Sequence, residues 1–165
     1  FKRRSQYVTG DPRFTSVKKG TKNVVYLWAR KEFQNISKCY DCGISVVKPR
    51  HVSKNILIMD FEGIDGKPEQ TLLESEIDEN DYHQSISLIT DLYQKAKLVH
   101  GDFSEYNIFK TKNGLKVFDL GSAVDTTHPK TMDFLKRDIN NITNFFVKRG
   151  LTVENPADIL ERIIK

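Results

Sequence analysis

The sequence predicts an α+β domain. Apolar residues recur at three- and four-residue spacing in several stretches, short extended runs lie between them, and an Asn113-Gly114 turn joins two of those runs. Helices and antiparallel strands are mixed without regular βαβ alternation, which argues against a doubly wound parallel sheet.

Residues 1–22 are polar and basic, with Gly10, Pro12 and Gly20, and read as a loop. A helix is expected from Val24 to about Tyr40, where Val25, Trp28, Ala29, Phe33 and Ile36 make one apolar face. Gly43 stands where a C-terminal cap belongs. Ile44 to Pro49 is extended, and Asn55 to Phe61 is a short apolar run of the buried-strand type. Gly63 to Pro68 breaks that pattern with two glycines and a proline. A second helix follows from about Glu79 to Lys97, with Ile86, Ile89, Thr90 and Tyr93 facing inward. Ile108–Lys110 and Leu115–Phe118 form a hairpin, because Asn-Gly readily supplies positive φ at a turn. Helices over Lys130–Lys148 and Pro156–Ile164 complete the chain.

At 165 residues the chain is long enough to bury a real core. No stretch reaches the roughly 18–20 apolar residues of a membrane span, and no signal peptide is visible. The first residue is Phe rather than Met, so the sequence reads as a fragment or a processed start. Cys39 and Cys42 are spaced C-x-x-C, but only His51 lies nearby to complete a metal set. They read as two reduced thiols at a helix end, hence a cytoplasmic protein. Residues 1–50 hold twelve Lys and Arg against three acids, a balance of +9, within a chain of net charge +4. A basic end on a mildly acidic body suits a polyanion such as RNA, or a merely solvated surface.

The chemistry concentrates in His100-Gly101-Asp102-Phe103-Ser104-Glu105-Tyr106-Asn107, the hairpin, and Asp119-Leu120-Gly121. Phosphoryl transfer from ATP needs a base at the acceptor and oxygen ligands that hold Mg²⁺ against the phosphates. An Asp and an Asn on one loop supply the base and one ligand. A hairpin then brings a second Asp back beside them. Asp102, Asn107 and Asp119 occupy those positions. Taken singly each piece is an ordinary turn former; together, with a helix before and strand–turn–strand between, they match the context the chemistry requires.

His100-Gly101-Asp102 with Asn107 resembles the catalytic loop of the protein-kinase-like superfamily. The longer string Leu98 to Asn107 is similar to that of the RIO kinases, atypical protein kinases. Phe1-Lys2-Arg3-Arg4-Ser5-Gln6-Tyr7-Val8-Thr9-Gly10 resembles the segment after the ATP-binding Lys of the first RIO subfamily, and Trp28 to Asn35 its helix C. His128-Pro129, Asp133-Phe134-Leu135, Arg137-Asp138 and Phe145-Phe146 resemble its C-terminal helices. The resemblance spans almost the whole chain. It implies a bilobal kinase-like fold with an incomplete N-terminal lobe, residues 1–62 belonging to that lobe and 63–165 to the C-lobe.

The same resemblance implies ATP and Mg²⁺ as cofactors, with Mn²⁺ able to substitute. Asp102 would be the catalytic base, and Asn107 and Asp119 the metal ligands, with Asp119 also able to accept phosphate. Met59, Asp60, Phe61 and Glu62 would form the hinge, where the backbones of Asp60 and Glu62 meet adenine. Glu32 would pair with the ATP-binding Lys. The implied function is a serine/threonine kinase or ATPase in maturation of the small ribosomal subunit, with pre-ribosomal RNA and ribosomal proteins as partners. In the family the Gly-rich loop and the ATP-binding Lys precede the position of Phe1, so this stretch alone should hold nucleotide poorly. Asp119-Leu120-Gly121 departs from the subfamily's usual Asp-Val-Ser. Two rival readings are a nucleotide-gated pre-ribosome binding factor without kinase turnover and a small-molecule phosphotransferase of the aminoglycoside or choline kinase type. The latter fits Ser104-Glu105-Tyr106 and Leu120-Gly121 poorly.

Overall fold

The computed structural model describes residues 21–165; of the predicted loop over 1–22, all but the last two residues lie outside them. Helix α1 (Thr21–Asp41) is longer at both ends than the periodicity predicts. Ala29, Ile36 and Cys39 are buried on its inner face, flanked by the partly buried Trp28. Its end is a Schellman turn, in which Gly43 N–H bonds Tyr40 and Ile44 N–H bonds Cys39. Gly43 takes φ +71°, a conformation strained for any residue with a Cβ.

The chain then runs up a hairpin of β1 (Pro49–Ser53) and β2 (Ile56–Met59). Here the expectation of a buried strand fails. Ile56 and Ile58 are 59% and 49% exposed, while Leu57 and Met59 turn inward. A two-stranded hairpin has only one face against the body, so an apolar run on it must alternate. Residues 45–47 tie this hairpin to the rest of the protein through Val47 N–H to Val117 O and Val117 N–H to Ser45 O. A second small hairpin, β3 (Gly63–Ile64) with β4 (Lys67–Pro68), occupies the predicted break. Gly63 is required there: a Cβ would stand 2.1 Å from the Lys67 carbonyl.

The lower body is helical. Helix α2 (Glu79–Gln94) starts on a capping box in which Asp78 and Asp81 exchange side-chain and backbone bonds. It ends short of the predicted Lys97, which adopts φ +52°. β5 (Leu98–Val99) follows and pairs antiparallel with β8 (Val124–Asp125). Between them lies the hairpin of β6 (Ile108–Thr111) and β7 (Gly114–Val117). The positive φ of its turn falls on Gly114, at +108°.

Helices α3 (Thr131–Lys148) and α4 (Pro156–Ile164) pack on α2 and on each other. Leu92, Leu98, Phe103, Ile108, Val117, Leu135, Ile139, Ile142, Phe146 and Ile159 form one core beneath β5–β8. Asn155 caps α4 by accepting from Ala157 N–H, with Pro156 in the first turn. Asn155→Ala should therefore cost about 1 kcal/mol, read as a lowered urea midpoint with unchanged slope. Among the described residues no helix is long and apolar enough to cross a membrane. Cys39 and Cys42 are free thiols, and the described residues hold no cluster of three or more His, Cys, Asp or Glu suited to a metal.

Candidate active site

The loop after β5 is held from beneath by one buried carboxylate. Asp138, on α3, accepts from Gly101 N–H at 2.7 Å and from Phe103 N–H at 3.0 Å. Arg137 donates to the Gly101 carbonyl. Phe103 is wholly buried and plugs the loop into the core, with its ring edge-on to His100. Asp102 sits between the two anchored N–H groups and is exposed. Its carboxylate is thus presented to solvent from a backbone that cannot easily move. Burial pushes the Asp138 carboxyl up to about 7, against the two N–H donors and Arg137, which pull it down.

Asn107 folds back on the same loop, its Nδ2 donating to the Asp102 carbonyl at 2.9 Å. That bond leaves its side-chain oxygen as the acceptor facing away. Phe118 N–H donates to the Asn107 carbonyl at 3.0 Å, closing the open end of the β6–β7 hairpin. Asp119 therefore comes next to Asn107, with φ +55°, and one carboxylate oxygen receives only a long 3.3 Å contact from Gly121 N–H. Asp102, Asn107 and Asp119 are brought together. Two hard oxygen donors, one amide and one carboxylate, suit Mg²⁺, which retains water and phosphate for its remaining positions. These residues fit the metal.

The expected hinge lies beyond the hairpin. Arg50 grips the Asp60 carboxylate with two hydrogen bonds, at 2.5 and 2.8 Å, which lowers that carboxyl's pKa. Lys116 reaches Glu62 at 2.7 Å. Asp60 N–H is taken by the Lys48 carbonyl and the Glu62 carbonyl by Glu69 N–H. No hydrogen bond among the described residues engages the Asp60 carbonyl or the Glu62 N–H. Met59 is partly buried behind them. Glu32 sits half-buried on α1, apart from the loop cluster in sequence and element.

One surface links hinge and loop. Phe109 and Lys116 are cross-strand partners, and Phe118 lies two residues beyond Lys116, so all three share the hairpin face opposite Ile108 and Val117. Phe109 and Phe118 stack at 4.1 Å with 21° between their planes. This face ends on Glu62 at one side and on Asn107 and Asp119 at the other. Sequence reasoning missed these phenylalanines, although their spacing from Asn107 and Asp119 was available. It also missed Lys31 and Asn35, which are fully buried on the side of α1 beside Trp28 rather than on the face expected to be apolar.

The fold matches the crystal structure of Rio2 kinase from Chaetomium thermophilum as an ADP/Mg²⁺-phosphoaspartate complex, with TM-score 0.68 and 24% identity over 84% of this chain and 44% of that one. It is a kinase-like fold. The chain belongs to the RIO domain family, whose profile matches residues 1–159. It is 36% identical to the RIO-type serine/threonine-protein kinase Rio1 of Thermoplasma acidophilum, over 97% of this chain and 84% of that protein. It is 34% identical to serine/threonine-protein kinase RIO1 of Caenorhabditis elegans, over 99% of this chain but only 34% of that relative's length.

Proposed function

We propose that this chain carries the catalytic and metal loops of an ATP- and Mg²⁺-dependent RIO-type serine/threonine kinase or ATPase acting in small ribosomal subunit maturation. The observation that supports it best is the convergence of Asp102, Asn107 and Asp119 at the end of a face whose other end is the hinge. In this reading adenine meets the Asp60 carbonyl and the Glu62 N–H, beside Met59, and lies over Phe109 and Phe118. The phosphates extend toward Asn107 and Asp119, which would hold Mg²⁺, and the metal when bound offsets the negative charge of the phosphates. Asp102 takes the proton of an acceptor hydroxyl as its oxygen bonds the γ-phosphorus and the bond to ADP breaks. Glu32 pairs with the ATP-binding Lys, which in the family precedes the position of Phe1. Residues 1–62 and 63–165 form the parts of the two lobes.

Asp119 is also a candidate acceptor, a reading supported by the phosphoaspartate of the Rio2 kinase complex from Chaetomium thermophilum. Pre-ribosomal RNA and ribosomal proteins are the partners this reading names, and two free thiols suit a cytoplasmic setting.

The test is ATP turnover together with acid-labile phosphate incorporation in the presence of Mg²⁺, in protein that includes the Gly-rich loop and the ATP-binding Lys. Turnover with labelled Asp119 supports the reading. Tight ATP binding without turnover would leave a nucleotide-gated assembly factor, whose RNA affinity should fall steeply with salt. Phe109→Ala should weaken ADP binding about 10- to 100-fold, since a base stacked on an aromatic ring gains about 1–3 kcal/mol. Calorimetric titration reads this directly.

A further inference from the structure

We propose that Lys31 and Asn35 are positioning residues for Asp119, clamping the loop that follows it to helix α1. The inference rests on the reading of Asp119 as a metal ligand and goes beyond it, because it assigns two residues of another element to the same site. Both side chains are fully buried. The Lys31 ammonium donates to the Gly121 carbonyl at 2.8 Å and to the Ala123 carbonyl at 2.5 Å. The Asn35 amide donates to the Leu120 carbonyl at 2.8 Å and again to Ala123 at 3.0 Å. Four bonds from one turn of α1 therefore fix the carbonyls of three of the four residues after Asp119.

This clamp is costly if it serves only to fill space. Burying an ammonium group is unfavourable unless its N–H groups are met, and an apolar side chain would pack there without that cost. What donors add over methyl groups is direction: they fix which way the peptide planes of 120–123 face. That matters because Asp119 occupies a left-handed φ of +55° that a non-glycine residue does not favour. Loop contacts of its own are few, namely Ala123 N–H to the Leu120 carbonyl and the long Gly121 N–H contact to Asp119.

Trp28 completes the contact. A Cβ on Gly121 would lie 2.6 Å from Trp28 Nε1, so the indole rests directly on the loop backbone. The Lys31 ammonium lies 5.4 Å from the centre of the same ring. Any movement of α1 is then transmitted to the metal loop through Trp28, Lys31 and Asn35. The single tryptophan of the chain reports on that coupling.

The experiment titrates ADP into the full chain, with Mg²⁺ and with EDTA, by calorimetry and by Trp28 emission. Wild type, Lys31→Met, Asn35→Ala and Asp119→Asn are compared, with circular dichroism to establish folding. The Mg²⁺-dependent gain in ADP affinity is expected to fall about tenfold in Lys31→Met, toward the Asp119→Asn level, with a smaller fall in Asn35→Ala. ADP affinity in EDTA should hardly change, and the Mg²⁺-induced change in Trp28 emission should shrink in step. Folded variants that keep the wild-type Mg²⁺ gain overturn the proposal, as do variants that lose affinity equally with and without Mg²⁺. If Lys31→Met does not fold, Asn35→Ala decides alone, since it removes two bonds and leaves the ammonium's acceptors in place. A wild type without any Mg²⁺ gain, or an Asp119→Asn that keeps it, overturns the metal-ligand reading itself and the clamp with it.

Discussion

Asp102→Ala is expected to slow transfer to a hydroxyl acceptor by about 10²–10⁴-fold, the usual range for removing a general base, while ADP affinity stays nearly unchanged. The structure explains why binding should survive. Asp102 contributes its backbone carbonyl, not its carboxylate, to the Asn107 bond, and Asp138 anchors the backbone on both sides of it. Truncating the side chain leaves the loop in place. Asp119→Asn should instead lower transfer and Mg²⁺-dependent ADP affinity together, because in the proposed reading the lost charge belongs to the metal site. The pair also separates the two acceptors. A carboxylate of Asp119 bonds phosphorus without giving up a proton, so Asp102→Ala should spare an acid-labile phosphate on Asp119 and abolish acid-stable phosphate on Ser or Thr. A single-turnover experiment with γ-labelled ATP, quenched and split by acid stability, reads both. Acid-stable labelling that continues at the wild-type rate in Asp102→Ala would remove Asp102 from the chemistry.

What the sequence made legible was set by local rules. The Schellman end of α1, the Asn155-Pro156 start of α4 and the Gly114 turn each follow from residues within one turn of each other. The candidate string stood out because Asp102, Asn107 and Asp119 hold fixed separations along one loop and one hairpin, which the fold brings side by side. What was not readable depends on contacts between distant segments. Lys31 looks like a solvent charge until Gly121 and Ala123, some ninety residues later, are seen to supply its acceptors. Asp138 looks like an ordinary helix acid until the loop at Gly101 and Phe103 is placed above it. The alternation of Ile56 and Ile58 was misjudged because periodicity does not say how many faces of a strand are covered.

Stability should respond to pH in a way that two neighbouring buried groups make opposite. Burial holds His100 neutral, its pKa lowered from 6.5 to about 4, although the charge of Asp119 pulls the other way. Neither ring nitrogen completes a hydrogen bond of normal geometry. An unfolded His100 takes up a proton below pH 6.5 that the folded one refuses until about pH 4. Its contribution is therefore full above 6.5 and lost as pH falls through that window. Asp138 runs in reverse. Its folded pKa of about 7 lies above the unfolded value of 3.8, so the folded state keeps a proton the unfolded state has released. That contribution is full below 3.8 and is lost as pH rises through 7.

Between about pH 4.5 and 6.5 each group alone shifts stability by about 2 kcal/mol, with opposite sign, and the two largely cancel. Carboxyls with lowered pKa, such as Asp60, Glu74, Asp78 and Glu154, lose their contributions mainly below this window. Urea unfolding of the wild type should therefore be nearly flat across it. His100→Leu should expose the Asp138 slope, with stability declining as pH rises. Asp138→Asn should be less stable throughout, because one of its two N–H donors then meets an amide, and should gain stability as pH rises. Three parallel curves would show that neither group titrates with folding, and that the loop beneath Asp102 is held in one charge state across the whole range.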